Sequence, residues 1–291
     1  MRRDDRRSWE GWGHGLLGVV IFSGSLPATR AAVGGFTPLF LTSARAVIAA
    51  GLGAALLALL RQKRPGRRDL GALAVVALGV VIGFPLLTAL ALQHITSARS
   101  IVFIGLLPLA TALFGVLLRG GERPRPAFWL FSVAGSLLVA GFALARGEGT
   151  DPVGDLLMAA AILLCGLGYA QGALLSRRLG GWQVISWALV LSAPAMIVLA
   201  LATLPAAWSG IGASAWAGLA YVSVFSMLVG FVFWYRGLAL GGIAGVGQLQ
   251  LLQPFLGLAL AGLLLHEPVE GAMLAVAAGV VLCVVGAKRF A

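Results

Sequence analysis

Runs of about twenty apolar residues follow one another along nearly the whole chain, parted by loops of only a few residues. An α-helix of that length crosses the roughly 30 Å hydrocarbon core of a bilayer. In lipid every backbone amide must be paired within its own segment, so each run predicts a helix. The runs fall at 12–32, 38–60, 70–93, 97–118, 126–145, 155–176, 183–204, 214–236, 243–265 and 269–287. The expected fold class is therefore an all-α polytopic membrane protein with ten transmembrane helices. Apolar residues make up 60% of the chain and charged residues 11%, a balance no ordinary soluble domain has. The 41 glycines fit the same setting, where they let helices approach closely.

One stretch occurs twice. Ala91 to Pro124 returns as Gly237 to Glu270, each with a break of small residues followed by an apolar helix that carries a proline, Pro108 or Pro254. Each copy closes on a Glu at a helix boundary, Glu122 or Glu267. Paired proline-interrupted helices in the two halves of a membrane chain point to a transporter site. Five spans per half is an odd number, so the second half enters the bilayer from the opposite side. That predicts a 5+5 inverted repeat: a tail at 1–11, a first repeat at 12–146, a second at 154–287 and a tail at 288–291.

The net charge of +11 does not indicate nucleic acid, because the basic residues sit in short loops and form no continuous face. Of the 21 Lys and Arg residues, 17 fall in the tails and alternate loops, among them Arg61 to Arg68, Arg119 to Arg125, and Arg177 and Arg178. The positive-inside bias then puts both termini in the cytoplasm. The run from Trp12 to Ala32, behind four arginines, could also be read as a signal peptide. A retained first helix is expected instead, since the second half contains its counterpart.

In this order the chain resembles the drug/metabolite transporter superfamily, in its ten-helix EamA-type branch. The resemblance rests on Thr37-Pro38 with Arg45, on Ala91 to Pro124, on Gly154-Asp155-Leu156-Leu157 with Ser176-Arg177-Arg178-Leu179, and on Gln253-Pro254 to Glu267-Pro268. It implies movement of small metabolites, often amino-acid export, across a bacterial inner membrane. It also implies a central cavity lined by helices one, three, four, six, eight and nine.

The expected cavity wall is Ser23, Phe84, Thr88, Tyr169, Ser223, Ser226, Trp234, Gln250 and Gln253. Ser223, Ser226, Gly230 and Trp234 share one helical stripe. Gln250 and Gln253 precede or adjoin Pro254, which lacks an amide hydrogen and so frees a carbonyl near Gln250. Amides in lipid need partners, so these glutamines either bond between helices or face a cavity. Tyr169 and Gln171 point opposite ways on one helix, and Tyr169 is the one assigned inward, with an interfacial anchor as its alternative. Most of the eight tryptophans lie near span ends, where belt anchoring accounts for them.

Arg30, Arg45 and Arg99 oppose the positive-inside bias, and with His94 they define a carboxylate-attracting outer mouth. Arg45 lies about two turns into its span, where a charge costs about 2.5–3.5 kcal/mol on insertion scales. Snorkelling to the interface is the competing account for it. No catalytic group is expected: the span centres carry no Asp, Glu or His, which an intramembrane enzyme would require. His266-Glu267-Pro268-Val269-Glu270 lacks the second His of a zinc motif, and Pro268 breaks its helix. Neither metal nor cofactor is expected, and the partners are a small-molecule substrate and the lipid bilayer. All ten acidic residues sit at tails, loops or span ends. The four-helix multidrug pumps of the superfamily use a first-helix glutamate, where this chain has Ser23 and Ser25. That pattern suits a facilitator, with a proton-coupled exporter as the alternative.

Overall fold

The computed structural model describes residues 3–91, 93–95, 97–118, 120–145, 151–265 and 271–291. The His266 to Glu270 stretch, with Glu267, lies outside them. Among the described residues there is no strand, and seven helices are long and apolar enough to cross a membrane, with shorter apolar helices at Val102–Leu117 and Pro126–Phe142.

The first half runs α1 (Arg3–Ser23), α2 (Ser25–Val33), α3 (Pro38–Leu59), α4 (Arg67–Val76), α5 (Phe84–Ala91), α6 (Ser97–Ile104), α7 (Leu107–Leu117) and α8 (Pro126–Leu144). The second runs α9 (Pro152–Leu179), α10 (Gly181–Ala202), α11 (Ala213–Tyr221), α12 (Gly230–Gly241), α13 (Ile243–Gly247), α14 (Gln253–Leu265) and α15 (Gly271–Phe290). Helix starts follow local chemistry. Thr37 caps α3 by accepting from the Phe40 amide, with Pro38 at the first helical position, where no amide hydrogen is needed. Asp151 and Pro152 do the same for α9.

Several spans expected to be continuous are not. The first is interrupted at Gly24, between α1 and α2. In the fourth, Pro108 does not sit inside a helix but opens α7. In the ninth, Pro254 is the second residue of α14, and Gln248–Leu252 ahead of it tightens into a 3₁₀ turn. The carbonyl that Pro254 was expected to free at Gln250 accepts from the Gln253 amide instead. The third segment of each half contains a π-helical turn, Ala77–Gly83 between α4 and α5 and Val222–Val229 between α11 and α12. Such turns wind the ladder from i→i−4 to i→i−5 and often mark functional positions.

The packing is reciprocal between halves. Helix α1 lies along α12, while α9 lies along α5 and the Ala77–Gly83 turn. Helix α3 packs on α10, and α8 on α15. The contacts of α1 with α12 are backbone to backbone. A Cβ on Gly237 would stand 2.5 Å from the Gly15 nitrogen, and one on Gly18 would stand 3.0 Å from the Trp234 nitrogen. The matching site between α9 and the π turn joins Gly168 to Gly79, where a Cβ on Gly79 would stand 3.0 Å from the Gly168 Cα.

Candidate solute cavity

The end of the bundle that carries most of the loop arginines is sealed. Arg178 meets Asp69 at 2.6 Å, Arg177 meets Glu122 at 2.6 Å, and Arg236 meets Glu10 at 2.7 Å. The Glu122 carboxylate also accepts from the amides of Ile243 and Ala244, at 2.9 Å each, and so ties the first half to the start of α13. The Lys288 ammonium stands 3.4 Å from the Trp9 ring centroid. A polar recess of about 580 Å³ opens at this surface between Trp182, Gln183 and Arg236.

At the opposite end the helices part around a cavity of about 300 Å³. Its wall takes Phe22, Ser23, Ser25 and Thr29 from α1 and α2, Leu41, Thr42 and Arg45 from α3, and Phe84, Pro85 and Thr88 from α5. Ser100 and Ile104 come from α6, and Gln253, Pro254 and Gly257 from α14. Both halves therefore contribute. The break at Gly24, the 3₁₀ turn before Pro254 and the π turn before Phe84 all adjoin residues of this wall. The lining is mostly apolar with a few polar groups, the usual make-up of a small-molecule site.

Of the expected wall, Ser23, Phe84, Thr88 and Gln253 line this cavity. Ser23 also donates to the Val20 carbonyl at 2.7 Å, and the Thr88 hydroxyl is buried without a hydrogen-bond partner among the described residues. Tyr169, Ser223, Ser226, Trp234 and Gln250 do not border it. They lie in a packed layer that Phe22 joins to the cavity: its ring meets Phe231 at 5.0 Å and Trp234 at 6.3 Å between centroids. The Tyr169 ring meets Trp234 at 5.5 Å, and its hydroxyl accepts from Gln250 Nε2 at 3.2 Å. Ser223 bonds back to the Leu219 carbonyl at 2.6 Å, while Ser226 bonds Ser25 at 2.8 Å and so links the second π turn to α2. The layer keeps orphaned polar atoms: Trp234 Nε1, Gln250 Oε1 and both side-chain heteroatoms of Gln248 are buried without partners among the described residues.

The four outer-mouth residues separate. Arg99 is paired, its Nε and Nη2 donating to both oxygens of Asp155 at 3.0 and 2.7 Å. His94 Nδ1 lies 3.5 Å from Asp151. Asp151 accepts from the Gly154 and Val153 amides, and these bonds, with His94 beside it, hold its carboxyl below the usual carboxylate range. The Arg30 side chain lies outside the described residues. Of the three whose side chains are described, Arg45 alone lines the cavity, and its Nε is buried with no hydrogen-bond partner among the described residues. Sequence reading missed Ser25, Thr29, Thr42 and Ser100. Ser25 and Thr29 carried a usable signal, since hydroxyls four apart lie on one helical face.

A helical bundle of membrane-length segments with a cavity lined from both halves is the architecture of a polytopic membrane protein with a solute site. The EamA-like transporter family model matches residues 10–145 and again 152–287, and the chain belongs to that family. It is 67% identical over 285 residues to the uncharacterized transporter YdeK of Bacillus subtilis (strain 168), with 98% of this chain and 99% of that protein covered. A solved crystal structure at 22% identity shares the fold over 97% of this chain and 99% of its own, with a TM-score of 0.80. Among the described residues no group of three or more His, Cys, Asp or Glu is placed to hold a metal ion.

Proposed function

We propose that this transporter exports small metabolites, amino acids foremost, across a bacterial inner membrane by alternating access. The observation that carries the proposal is the cavity between the halves, open at one end and closed at the other by inter-helix ion pairs. The ten helices form a 5+5 inverted repeat, with repeats at 12–146 and 154–287. The π turns at matching places in the two halves and the reciprocal packing of α1 on α12 and α9 on α5 support that topology. The sealed, arginine-rich end is cytoplasmic by the positive-inside rule, so both termini are inside and the cavity faces out. Solute contacts Ser23, Phe84, Thr88 and Gln253 in this state. In the inward-facing state Tyr169, Trp234, Gln250, Ser223 and Ser226 join its path, which gives the orphaned polar atoms of that layer water or solute to bond.

The carrier is a facilitator. Among the described residues no carboxylate lines the cavity to take up and release a proton during the cycle. Proteoliposomes loaded with labelled amino acids should show saturable efflux and no uphill accumulation under an imposed pH gradient. Uphill accumulation would replace the facilitator with a proton-coupled exporter, linear flux would make the protein a channel, and absence of flux for every amino acid would remove the cargo. Orientation is checked by cysteine labelling from outside, which should reach Asp151→Cys and miss Lys63→Cys.

A further inference from the structure

We infer that Arg45 anchors the carboxylate of the solute, and that the site recognises that group without a matching requirement for an ammonium. The inference rests on the proposed transport role of the cavity and names the chemistry it selects. Arg45 stands in the wall two turns into α3, among Leu41, Thr42, Phe84 and Thr88. Among the described residues no hydrogen bond or ion pair engages its guanidinium, whereas Arg99 at the same end is paired with Asp155 and His94 lies beside Asp151. A cation held in a largely apolar wall, with its Nε buried and unpartnered, is what a binding site keeps for an anionic group, and a guanidinium fits a carboxylate through two parallel hydrogen bonds. The Thr88 hydroxyl, equally without a partner, is a further donor on the same wall.

Among the described residues the wall contains no counterpart for a positive charge: no Asp or Glu lines it, and beside Arg45 its polar groups are hydroxyls and the Gln253 amide. An amino acid is therefore held by its carboxylate and its side chain, and removing its amino group removes no ion pair. Aliphatic and aromatic monocarboxylates of similar size follow as cargo alongside amino acids.

Four matched probes decide this: leucine, isocaproate (no amino group), leucinamide (no carboxylate) and isoamylamine (carboxyl group removed). Their binding to purified protein is measured by calorimetry, and each is tested as a competitor of leucine efflux in proteoliposomes. Leucine and isocaproate should bind with similar affinity, and the other two at least about tenfold more weakly, the ratio expected for loss of a charge-assisted contact. Arg45→Gln should level the four, and Arg45→Lys should restore part of the difference. The wild-type ranking stands as a test even if a variant fails to fold. Tighter binding of leucinamide or isoamylamine, or an unchanged ranking in Arg45→Gln, overturns the carboxylate anchor and leaves the transport role intact. Saturable flux of some solute with no binding by any of the four also overturns the anchor. No binding and no flux of any solute overturns both.

Discussion

Gly237→Leu should leave little folded protein in the membrane. Helix α12 crosses α1 at this residue with no side chain between the two backbones. A Cβ there would stand 2.5 Å from the Gly15 nitrogen, 2.7 Å from its Cα and 3.0 Å from the Gly11 carbonyl oxygen. Backbone cannot rotate aside as a flexible side chain can, so the helices must separate along their whole contact. Overpacking a well-fitted interior costs about 1–3 kcal/mol even where side chains can shift. Here the added atoms meet three main-chain atoms of α1, and the cost belongs at or above the top of that range. Helix association in lipid has little hydrophobic drive and relies on close packing, so that loss is not recovered elsewhere. The contrast is Gly51→Leu, in α3, where an added Cβ meets nothing within 4 Å and the position is exposed. That variant should retain the parent melting temperature or exceed it, because glycine is about 1 kcal/mol worse than alanine in a helix interior. Monodisperse yield and thermal melting of both variants give the readout. Equal yields would show that the α1–α12 crossing does not depend on Gly237.

The sequence carried this crossing in part. Small residues four apart at Gly79 and Gly83, and at Gly168 and Gly172, announce a close helix contact, and Gly79 does meet Gly168. The same spacing at Gly11 and Gly15, and at Gly237 and Gly241, carries the same message. Helix existence was legible because twenty apolar residues have no other use. Depth along the bundle was not. Hydrophobic periodicity gives the angle of a side chain around its helix, and on that count Tyr169, Trp234 and Gln250 do point inward. It says nothing of where along the axis two helices part. The halves separate at the level of Ser23 and Thr88 and close at the level of Tyr169. Nor could periodicity foresee the π turns, since no residue type specifies an i→i−5 bond, or the pairing of Arg99 with Asp155 across 56 residues of chain. Arg45 was legible as an anomaly, because a charge two turns into a span has few innocent uses. Arg99 looked equally anomalous from the sequence until its partner was in place.

Removing the Glu122 carboxylate should unseal the arginine-rich end and shift the protein toward a state open there. Glu122 is held in the turn after α7 by its own amide, which donates to the Gly115 carbonyl. Its side chain accepts from Arg177 Nη2 at 2.6 Å and from the first two amides of α13. Those amides reach it because Gly242 takes φ +97°, a left-handed turn that side chains resist. One carboxylate thus joins the loop of the first half, the end of α9 and the start of the broken segment that leads to Gln253 in the cavity wall. Glu122→Ala leaves two helix-end amides without their acceptor and the Arg177 guanidinium with only a 3.5 Å contact to the Gly120 carbonyl. Unsatisfied donors cost about 1–3 kcal/mol each when buried, and partial exposure lowers that here, so the closed end should lose about 2 kcal/mol. A change of that size moves a two-state equilibrium about thirtyfold. Ala244 reports it, being only 1% exposed beside the latch. In a Cys165→Ala, Cys283→Ala background, Ala244→Cys should react slowly with a membrane-impermeant maleimide, and tens of times faster once Glu122→Ala is added. Thr42→Cys, in the cavity wall, should lose reactivity from the other side in the same variant. Faster labelling at both ends would indicate unfolding. A lower melting temperature with both rates unchanged would make Glu122 a helix cap with no part in gating.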